Sequence, residues 1–232
     1  MSSPSATNSW TPDVLGDEFE SLTIPLKKDP DTGKKVRAVL VRYTPSLNSR
    51  RPAVLWVHGM SDYFFQDHVA EEFAAKGYPF YALDLRRCGR AHQKGERFHF
   101  TLNMKRYFEE LTKALDIIAA EHGKVIPLAH STGGLIVPLW ADALRREQPA
   151  EHAKLAGIIL NSPWLDLQFN PLLVKLARPV INVLGGIFPS VPLPDGGLGA
   201  YGQSIHKDAH GEWDFNTTWK PLSGHRKYLG WI

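Results

Sequence analysis

The sequence predicts an α/β fold with a mostly parallel sheet and helices on both of its faces. Short continuous apolar runs, which suit strands buried on both faces, recur at AVLWVHG, YPFYALDL, KVIPLAHS and LAGIILNSP. Segments with helical apolar spacing separate these runs, and this alternation is typical of parallel strands joined by helical crossovers. The 232 residues are 43% apolar and 22% charged, which is ordinary for a soluble globular protein.

An antiparallel hairpin is predicted ahead of the parallel strands. Two strand-like segments, FESLTIPL and VRAVLVRY, flank the spacer KKDPDTGKK, whose Asp, Pro and Gly residues favour a turn. Helical spacing is found in FFQDHVAEEFAAKG, LNMKRYFEELTKALDIIAAEHG and TGGLIVPLWADALRRE, and the first two of these segments end at a glycine. The hairpin would therefore add an antiparallel edge to a strand–helix alternation.

Composition divides the chain into three parts. Residues 1–16 are rich in Ser, Pro and Asn and are predicted to be a flexible tail. Residues 17–163 carry the strand–helix alternation and form the predicted core. Residues 164–232 contain many Pro, Gly and Trp residues without that alternation, so we expect an insertion that lies over the sheet. A second compact domain is the less favoured alternative.

Charge and cysteine content exclude several classes of protein. The formal net charge is +3 with both signs interspersed, so no surface for nucleic acid is predicted. Cys88 is the sole cysteine, which excludes an intrachain disulfide; its arginine neighbours are of a kind that lowers a thiol pKa, but no motif marks it as a nucleophile. The N-terminal segment has no signal-peptide pattern, and Lys175, Arg178 and Pro179 interrupt the longest apolar stretch. A cytoplasmic protein without a transmembrane segment is expected.

The most informative stretch is VIPLAHSTGGL, which passes from a predicted strand into a predicted helix. Ala129 to Gly133 match the pattern G-x-S-x-G with alanine first, the signature of a nucleophile elbow. Residues two before and two after the serine crowd together in such a turn, so Ala129 and Gly133 must be small. The elbow would expose the Ser131 hydroxyl at the carboxyl end of the sheet and at a helix N-terminus. A chance serine–glycine pattern in a strand–turn–helix unit is the alternative.

A second motif supports a nucleophilic Ser131. WVHGMSD ends an earlier predicted strand with His58, Gly59 and Met60. In this architecture the oxyanion hole combines the N–H after the nucleophile with an N–H from the loop after an earlier strand. The donors here would be the backbone amides of Met60 and Thr132. Gly59 would let the loop turn sharply, and His58 is predicted to bond the loop that carries Met60 rather than to act as the base.

Four segments together resemble the α/β-hydrolase superfamily: HGMSDYF, ALDLRRCGRA, LAHSTGGL and LNSPWLDL occur in its order and spacing. The chain most resembles the subgroup of monoglyceride lipases, lysophospholipases and serine aminopeptidase-like hydrolases, over roughly residues 18–232. The resemblance implies an α/β-hydrolase fold in which residues 164–232 form a cap, inserted after the sixth strand, that selects the substrate. It also implies a small-molecule ester or lipid substrate and transient contact of the cap with a membrane surface.

The acid and base that Ser131 needs are not found where the resemblance would place them. The triad of this superfamily follows the order Ser, then Asp or Glu, then His. The chain ends at LGWI, where the cap is expected to end, so the last strands are expected to be missing. Asp166, directly after the strand LAGIILNSP, is the best candidate acid, and the later histidines are His206, His210 and His225.

The segment HKDAHGEWD, residues 206–214, suggests a second chemistry. His206 and His210 are four residues apart, a spacing with which a helix binds Zn²⁺, but Gly211 argues against a helix and H-E-x-x-H is absent. Neither a metal nor a cofactor is therefore predicted. PDGGLGAYG neither follows a strand nor opens a helix, so it is interpreted as a lid segment and not as a phosphate loop.

The leading hypothesis is a serine hydrolase that cleaves carboxylic esters, such as lysophospholipids or monoacylglycerols, through an acyl-enzyme on Ser131. A peptidase of the aminopeptidase type is not separated from an esterase by these residues. The second hypothesis is a non-catalytic α/β-hydrolase-fold protein that binds a ligand or partner, because lack of the acid and base would remove turnover and leave the pocket. A metal-dependent hydrolase that uses residues 206–214 is the third.

Overall fold

The computed structural model describes residues 9–60, 62–165 and 171–187. Seven strands form one sheet. They are β1 (Thr11–Asp13), β2 (Gly16–Lys28), β3 (Lys35–Tyr43), β4 (Ala53–Val57), β5 (Phe80–Asp84), β6 (Val125–His130) and β7 (Ile159–Asn161). Their order in the sheet is β1-β2-β3-β5-β4-β6-β7.

The sheet is mostly parallel on one side and antiparallel on the other. β5, β4, β6 and β7 run parallel to one another, whereas β1, β2 and β3 pair antiparallel and β3 joins β5 antiparallel. Every residue of β4 and β5 is buried, as expected for apolar strands that are covered on both faces. The predicted fold class, including the hairpin of β2 and β3, is confirmed.

Helices cover both faces of this sheet. The α-helices that belong to the same compact unit as the sheet are α1 (Asp67–Ala75), α2 (Phe108–His122), α3 (Gly133–Glu147) and α4 (Pro149–His152). A further helix, α5 (Pro171–Ile187), belongs to a separate compact unit. On one face, Leu111 and Leu115 of α2 pack with Ile136 of α3 in the larger apolar core. On the other face, Ala70 of α1 packs with Phe80 in a second core. The sheet is therefore the middle layer of three.

Residues 11–13 differ from the tail predicted over residues 1–16. They form β1, which pairs antiparallel with β2 and places Thr11 opposite Ser21. A polar strand of three residues carries no apolar periodicity, so the sequence pattern does not reveal it. Asp13 anchors the strand, because its carboxylate accepts hydrogen bonds from the Arg90 guanidinium at 2.7 and 2.8 Å.

The chain divides after Leu165 into two compact units, and α5 is the part of the second unit that the structure describes. The sequence pattern gave no regular element after Pro163, yet PLLVKLARPVINVLGGI forms a 17-residue helix with Pro179 inside it. Its first residue is Pro171. The first N–H groups of a helix have no intrahelical acceptor, so a proline at this position costs no hydrogen bond. None of the described helices is long and apolar enough to cross a membrane.

Candidate active site

The ends of two neighbouring strands bring the two sequence motifs together. β4 and β6 are adjacent and parallel, with Val57 paired to Ala129. The HGM motif follows β4 and Ser131 follows β6, so both emerge at the same edge of the sheet. Because β4 also pairs with β5 on its other side, this edge is a topological switch point, where open α/β sheets bind ligands.

Ser131 occupies a left-handed backbone conformation. Its φ is 50°, in a region that costs a non-glycine residue about 1–3 kcal/mol. The Ser131 N–H donates to the Asn161 carbonyl at 3.1 Å, and the Ser131 carbonyl accepts from the amides of Gly134 and Trp164, both at 2.9 Å. These hydrogen bonds hold the serine in a strained turn between β6 and α3.

Gly59 lets the loop after β4 approach the serine closely. A Cβ at this position would lie 2.9 Å from Ser131 Cβ, 3.4 Å from Ser131 Oγ and 3.5 Å from His130 Cδ2. Carbon atoms separated by 2.9 Å overlap, so a side chain here would move either the loop or Ser131. The glycine of the HGM motif is thus explained by a contact with Ser131 itself.

Two further glycines fit α3 against the sheet. A Cβ on Gly133 would lie 2.6 Å from the His58 carbonyl oxygen, and a Cβ on Gly134 would lie 2.6 Å from Pro163 Cβ. The sequence argument placed Gly133 against Ala129. The nearest atoms instead belong to the strand end of β4, because the first turn of α3 packs on β4 as it leaves β6.

The two amides predicted to form an oxyanion hole make no hydrogen bond to any residue that the structure describes. Neither the Met60 N–H nor the Thr132 N–H donates a hydrogen bond within the described part of the chain. Thr132 is the N-cap of α3, so its N–H lies at the positive end of the helix dipole. Unpartnered amides next to a nucleophile are the groups that stabilise a tetrahedral oxyanion.

His58 is fully bonded to backbone groups. Its Nδ1 lies 2.7 Å from the Gly59 carbonyl oxygen, and its Nε2 accepts the Leu85 N–H at 3.1 Å. A ring nitrogen that accepts an N–H carries no proton, so Nδ1 is the nitrogen that donates and the imidazole is neutral. His58 thereby ties the loop that carries Met60 to the end of β5, and it has no free nitrogen with which to act as a base.

The partners of the Ser131 hydroxyl are not among the described residues. Within that part of the chain, the hydroxyl has no hydrogen-bond partner. Its neighbour His130 stacks on Trp56 and approaches the Asn161 carbonyl at 3.2 Å. The candidate acid and the later histidines lie outside the described residues; they are Asp166, His206, His210 and His225. Their roles stay predictions.

A metal site is not found in the described part of the chain. There, no group of three or more His, Cys, Asp or Glu side chains is placed to hold an ion. The segment 206–214, on which the metal hypothesis depends, lies outside this part.

Two arginines of LRRCGR bind buried carboxylates, which the sequence did not reveal. The Arg86 guanidinium donates to both carboxylate oxygens of Glu110 on α2, at 2.9 and 2.6 Å. Arg87 donates to Asp29 of the β2–β3 turn at 2.6 Å. The partners are 24 and 58 residues distant in sequence, so no local pattern connects them.

Asp84 and Arg90 together fix the loop that follows the HGM motif. Asp84, at the end of β5, accepts the Phe64 N–H, the Arg90 N–H and an Arg90 guanidinium N–H, each at 2.9 Å. Arg90 also donates to the Phe64 carbonyl at 2.9 Å. Because Phe64 is four residues after Met60, these bonds are positioning contacts for the proposed oxyanion hole.

Cys88 is a buried, protonated thiol. Burial raises its pKa well above the usual range, and the charges of Asp84 and Glu110 raise it further. The neighbouring arginines bind carboxylates instead, so the thiol pKa is not lowered as their presence in the sequence suggested. Cys88 Sγ lies 3.1 Å from His99 Nδ1.

Protonation of His99 is expected to lower the stability of the protein in acid. Burial lowers the pKa of its imidazole to about 4. A pKa depressed in the folded state means that protons favour the unfolded chain. The neutral imidazole therefore makes its full contribution to the free energy of unfolding above pH 6.5. This contribution, up to about 3 kcal/mol, is lost as the pH falls towards 4.

The variant His99→Asn tests this expectation, since asparagine tolerates the φ of 53° at this position. Urea unfolding of both proteins between pH 7 and pH 4 is the measurement. The free energy of unfolding should fall more steeply in the parent protein. Parallel curves would show that His99 does not titrate between these pH values.

Fold and site together define the class of this protein. A mostly parallel sheet with a serine elbow at its switch point and a His-Gly loop beside it is the architecture of an α/β-hydrolase. The family model described as serine aminopeptidase, S33, matches residues 48–210. The chain belongs to this family, as the resemblance predicted.

Similar proteins are esterases and lipases. A monoacylglycerol lipase of Mycolicibacterium smegmatis is 32% identical over 163 residues, which cover 68% of this chain and 53% of that protein. A carboxyl esterase of Bacillus coagulans has a TM-score of 0.55 at 21% identity over 73% of this chain and 51% of its own. A monoglyceride lipase of Saccharomyces cerevisiae has a TM-score of 0.51 at 18% identity over 82% and 55%. The solved structures show the common fold, and the chain spans about half the length of these relatives.

Proposed function

We propose that the protein is a serine hydrolase of carboxylic esters, with Ser131 as the nucleophile. The observation that carries this proposal is the pair of amides, Met60 and Thr132, which have no partner among the described residues and lie beside a serine held at a φ of 50°. A strained turn of this kind persists only where the surrounding structure enforces it, and such strain is concentrated at functional sites. The family membership supports the same chemistry.

In the proposed reaction, Ser131 Oγ attacks the ester carbonyl carbon as a general base removes the hydroxyl proton. The carbonyl π electrons move to oxygen, and the oxyanion accepts hydrogen bonds from the Met60 and Thr132 amides. Collapse of this intermediate breaks the bond to the alcohol, which leaves with a proton, and an acyl-enzyme remains on Oγ. Water then attacks the acyl carbon by the same steps and releases the carboxylic acid. Asp166 is the proposed acid of the triad.

The proposed substrates are monoacylglycerols or lysophospholipids. Support comes from the Mycolicibacterium smegmatis relative, which is a monoacylglycerol lipase. The competing proposal is a fold that binds a ligand without turnover. The two proposals differ in the rate at which Ser131 reacts with an electrophilic probe, because a serine without a base reacts slowly even with strong electrophiles.

A fluorophosphonate probe tests the nucleophile. We expect stoichiometric labelling of the full chain, mapped by mass spectrometry to the peptide that contains Ser131, and no labelling of Ser131→Ala. The matched control is Ser46→Ala, which removes a buried hydroxyl away from the elbow. Labelling that persists in Ser131→Ala would overturn the assignment, and an unlabelled parent chain would favour the binding protein.

We further propose that α5 contacts an anionic lipid surface. Its apolar side chains Leu172, Leu176, Val180, Val183 and Ile187 are 56–65% exposed and recur every three or four residues. Lys175, Arg178 and Asn182 form a narrow polar stripe along one side of these residues, and the helix contains no acidic residue. A helix with one apolar face and a basic polar face is the kind that lies in a membrane interface.

Flotation with vesicles tests this contact. We expect the chain to float with vesicles that contain phosphatidylglycerol and to float poorly with pure phosphatidylcholine. Leu176→Asp should abolish flotation, whereas Asn182→Asp, with the same change of charge on the polar face, should only weaken it. Equal flotation of both variants would exclude insertion of the apolar face.

A further inference from the structure

A small cavity opens beside the proposed oxyanion hole. It measures about 80 Å³, and Met60 and Thr132 line it together with Gly59. At roughly 15 Å³ for each water-sized group, it has room for about five non-hydrogen atoms. Because Met60 and Thr132, the residues that carry both proposed donors, line the cavity, a group bonded to a carbonyl carbon in the oxyanion hole would lie close to it.

The rest of the wall combines apolar and polar side chains. The apolar ones include Leu85, Met104 and Ile136, and the polar ones include Cys88, His99 and Tyr107. A purely aliphatic occupant would remove water from the polar groups without replacing their hydrogen bonds, and this desolvation costs free energy. The lining therefore favours an occupant that has both carbon atoms and a hydrogen-bonding group.

Tyr107 and His99 each keep a polar atom without a partner in the described part of the chain. Tyr107 is 5% exposed, and its hydroxyl makes no hydrogen bond to a described residue. Burial raises the pKa of Tyr107, so the hydroxyl stays protonated. His99 Nδ1 contacts Cys88 Sγ at 3.1 Å, which leaves Nε2 unbonded among the described residues. With a pKa of about 4 the imidazole is neutral, and Nε2 is a donor or an acceptor according to its tautomer.

We propose that this cavity binds a short hydroxylated part of the ester, with Tyr107 and His99 as specificity-determining residues that hydrogen bond its hydroxyl group. The inference rests on the proposed function as an ester hydrolase. It adds the size and polarity of one substituent of the ester substrate. That substituent is either the carbon chain of a short hydroxyacyl group or a short polyol. Both contain carbon atoms and a hydroxyl group, and both are small enough for a cavity that holds about five non-hydrogen atoms.

The proposal is tested with the variant Tyr107→Phe, which keeps the ring and removes the hydroxyl. The variant is assayed on two pairs of substrates. One pair is p-nitrophenyl 3-hydroxybutyrate and butyrate; the other is the 2,3-dihydroxypropyl and propyl esters of octanoate. We expect kcat/KM to fall about tenfold for the hydroxylated member of one pair and not for its plain partner, as the loss of one hydrogen bond implies. The affected pair identifies the acyl or the alcohol side. Tyr78→Phe, outside the cavity, should change neither pair, and equal losses for both members would overturn the proposal.

A second measurement does not depend on catalysis. 1,2-Propanediol has five non-hydrogen atoms, and 1-propanol lacks one of its two hydroxyl groups. In NMR titrations, 1,2-propanediol should shift the backbone amide signals of Gly59, His99 and Thr132, which line the cavity, at concentrations severalfold below those needed for 1-propanol. Tyr107→Phe should remove this difference. Equal binding of both alcohols, or of neither, overturns the cavity assignment. Selective binding of 1,2-propanediol to a chain that no fluorophosphonate labels would overturn the proposed hydrolase and leave the cavity assignment standing.

Discussion

Replacing Glu110 with alanine is expected to lower the free energy of unfolding by about 3–5 kcal/mol. Glu110 is fully buried, and it accepts three hydrogen bonds from the guanidinium of Arg86, which is 2% exposed. The nearest other carboxylates, on Glu109 and Asp29, are 3.5 and 3.7 Å from the guanidinium. Without Glu110, a desolvated cation would be left with weaker partners, and this penalty is the main cost.

Urea unfolding measures the effect, with the slope against urea concentration unchanged. The control is Glu72→Ala, which breaks an exposed pair with Lys76 on α1 and should leave the unfolding curve where it is. The double variant Arg86→Met, Glu110→Leu should recover most of the loss, because an apolar pair needs no counter-charge. A loss below about 1 kcal/mol for Glu110→Ala, the range of exposed pairs, would show that the ion pair is accessible to water.

Gly59→Ala is expected to lower kcat by about 10²–10³-fold while most of the stability is kept. The new Cβ would overlap Ser131 Cβ at 2.9 Å, and the loop would move away to relieve the contact. The Met60 N–H moves with this loop, so one of the two proposed oxyanion donors would be displaced from the position where charge develops. Loss of a single donor has an effect of this size in serine hydrolases.

The measurement is kcat on a p-nitrophenyl ester beside the urea midpoint of the same preparation. Gly157→Ala is the matched control, because a Cβ at position 157 meets nothing within 4 Å. It should change neither quantity. An active Gly59→Ala enzyme with an unchanged kcat would contradict the assignment of the Met60 amide as an oxyanion donor.

The features that sequence predicted well depend on local patterns. β4, β5 and β6 are short apolar runs, and burial on both faces follows from that composition alone. The elbow was found because a strand, a serine with small neighbours and a helix are contiguous in the chain. The His-Gly loop was found for the same reason, and its proximity to Ser131 follows from the parallel pairing of β4 and β6.

The features that sequence missed depend on contacts between distant segments. The Thr11–Asp13 strand has no periodicity of its own and is defined by pairing with β2 and by the Arg90 contact. The carboxylate partners of Arg86 and Arg87 are on a helix and on a turn, and many other acidic residues of the chain would have matched equally well. The apolar helix Pro171–Ile187 was obscured by Pro179, which usually interrupts a helix.

The Asp13–Arg90 ion pair has a consequence for the order in which the chain folds. The two residues are 77 positions apart. At the usual rate of synthesis, about 5–20 residues per second, Arg90 is made roughly 4–15 s after Asp13. During that interval the first strand lacks its contact with Arg90 and has only its pairing with β2, and the ion pair can form only after the segment from the hairpin to β5 has been translated. We expect the N-terminal edge of the sheet to be completed late during synthesis on the ribosome.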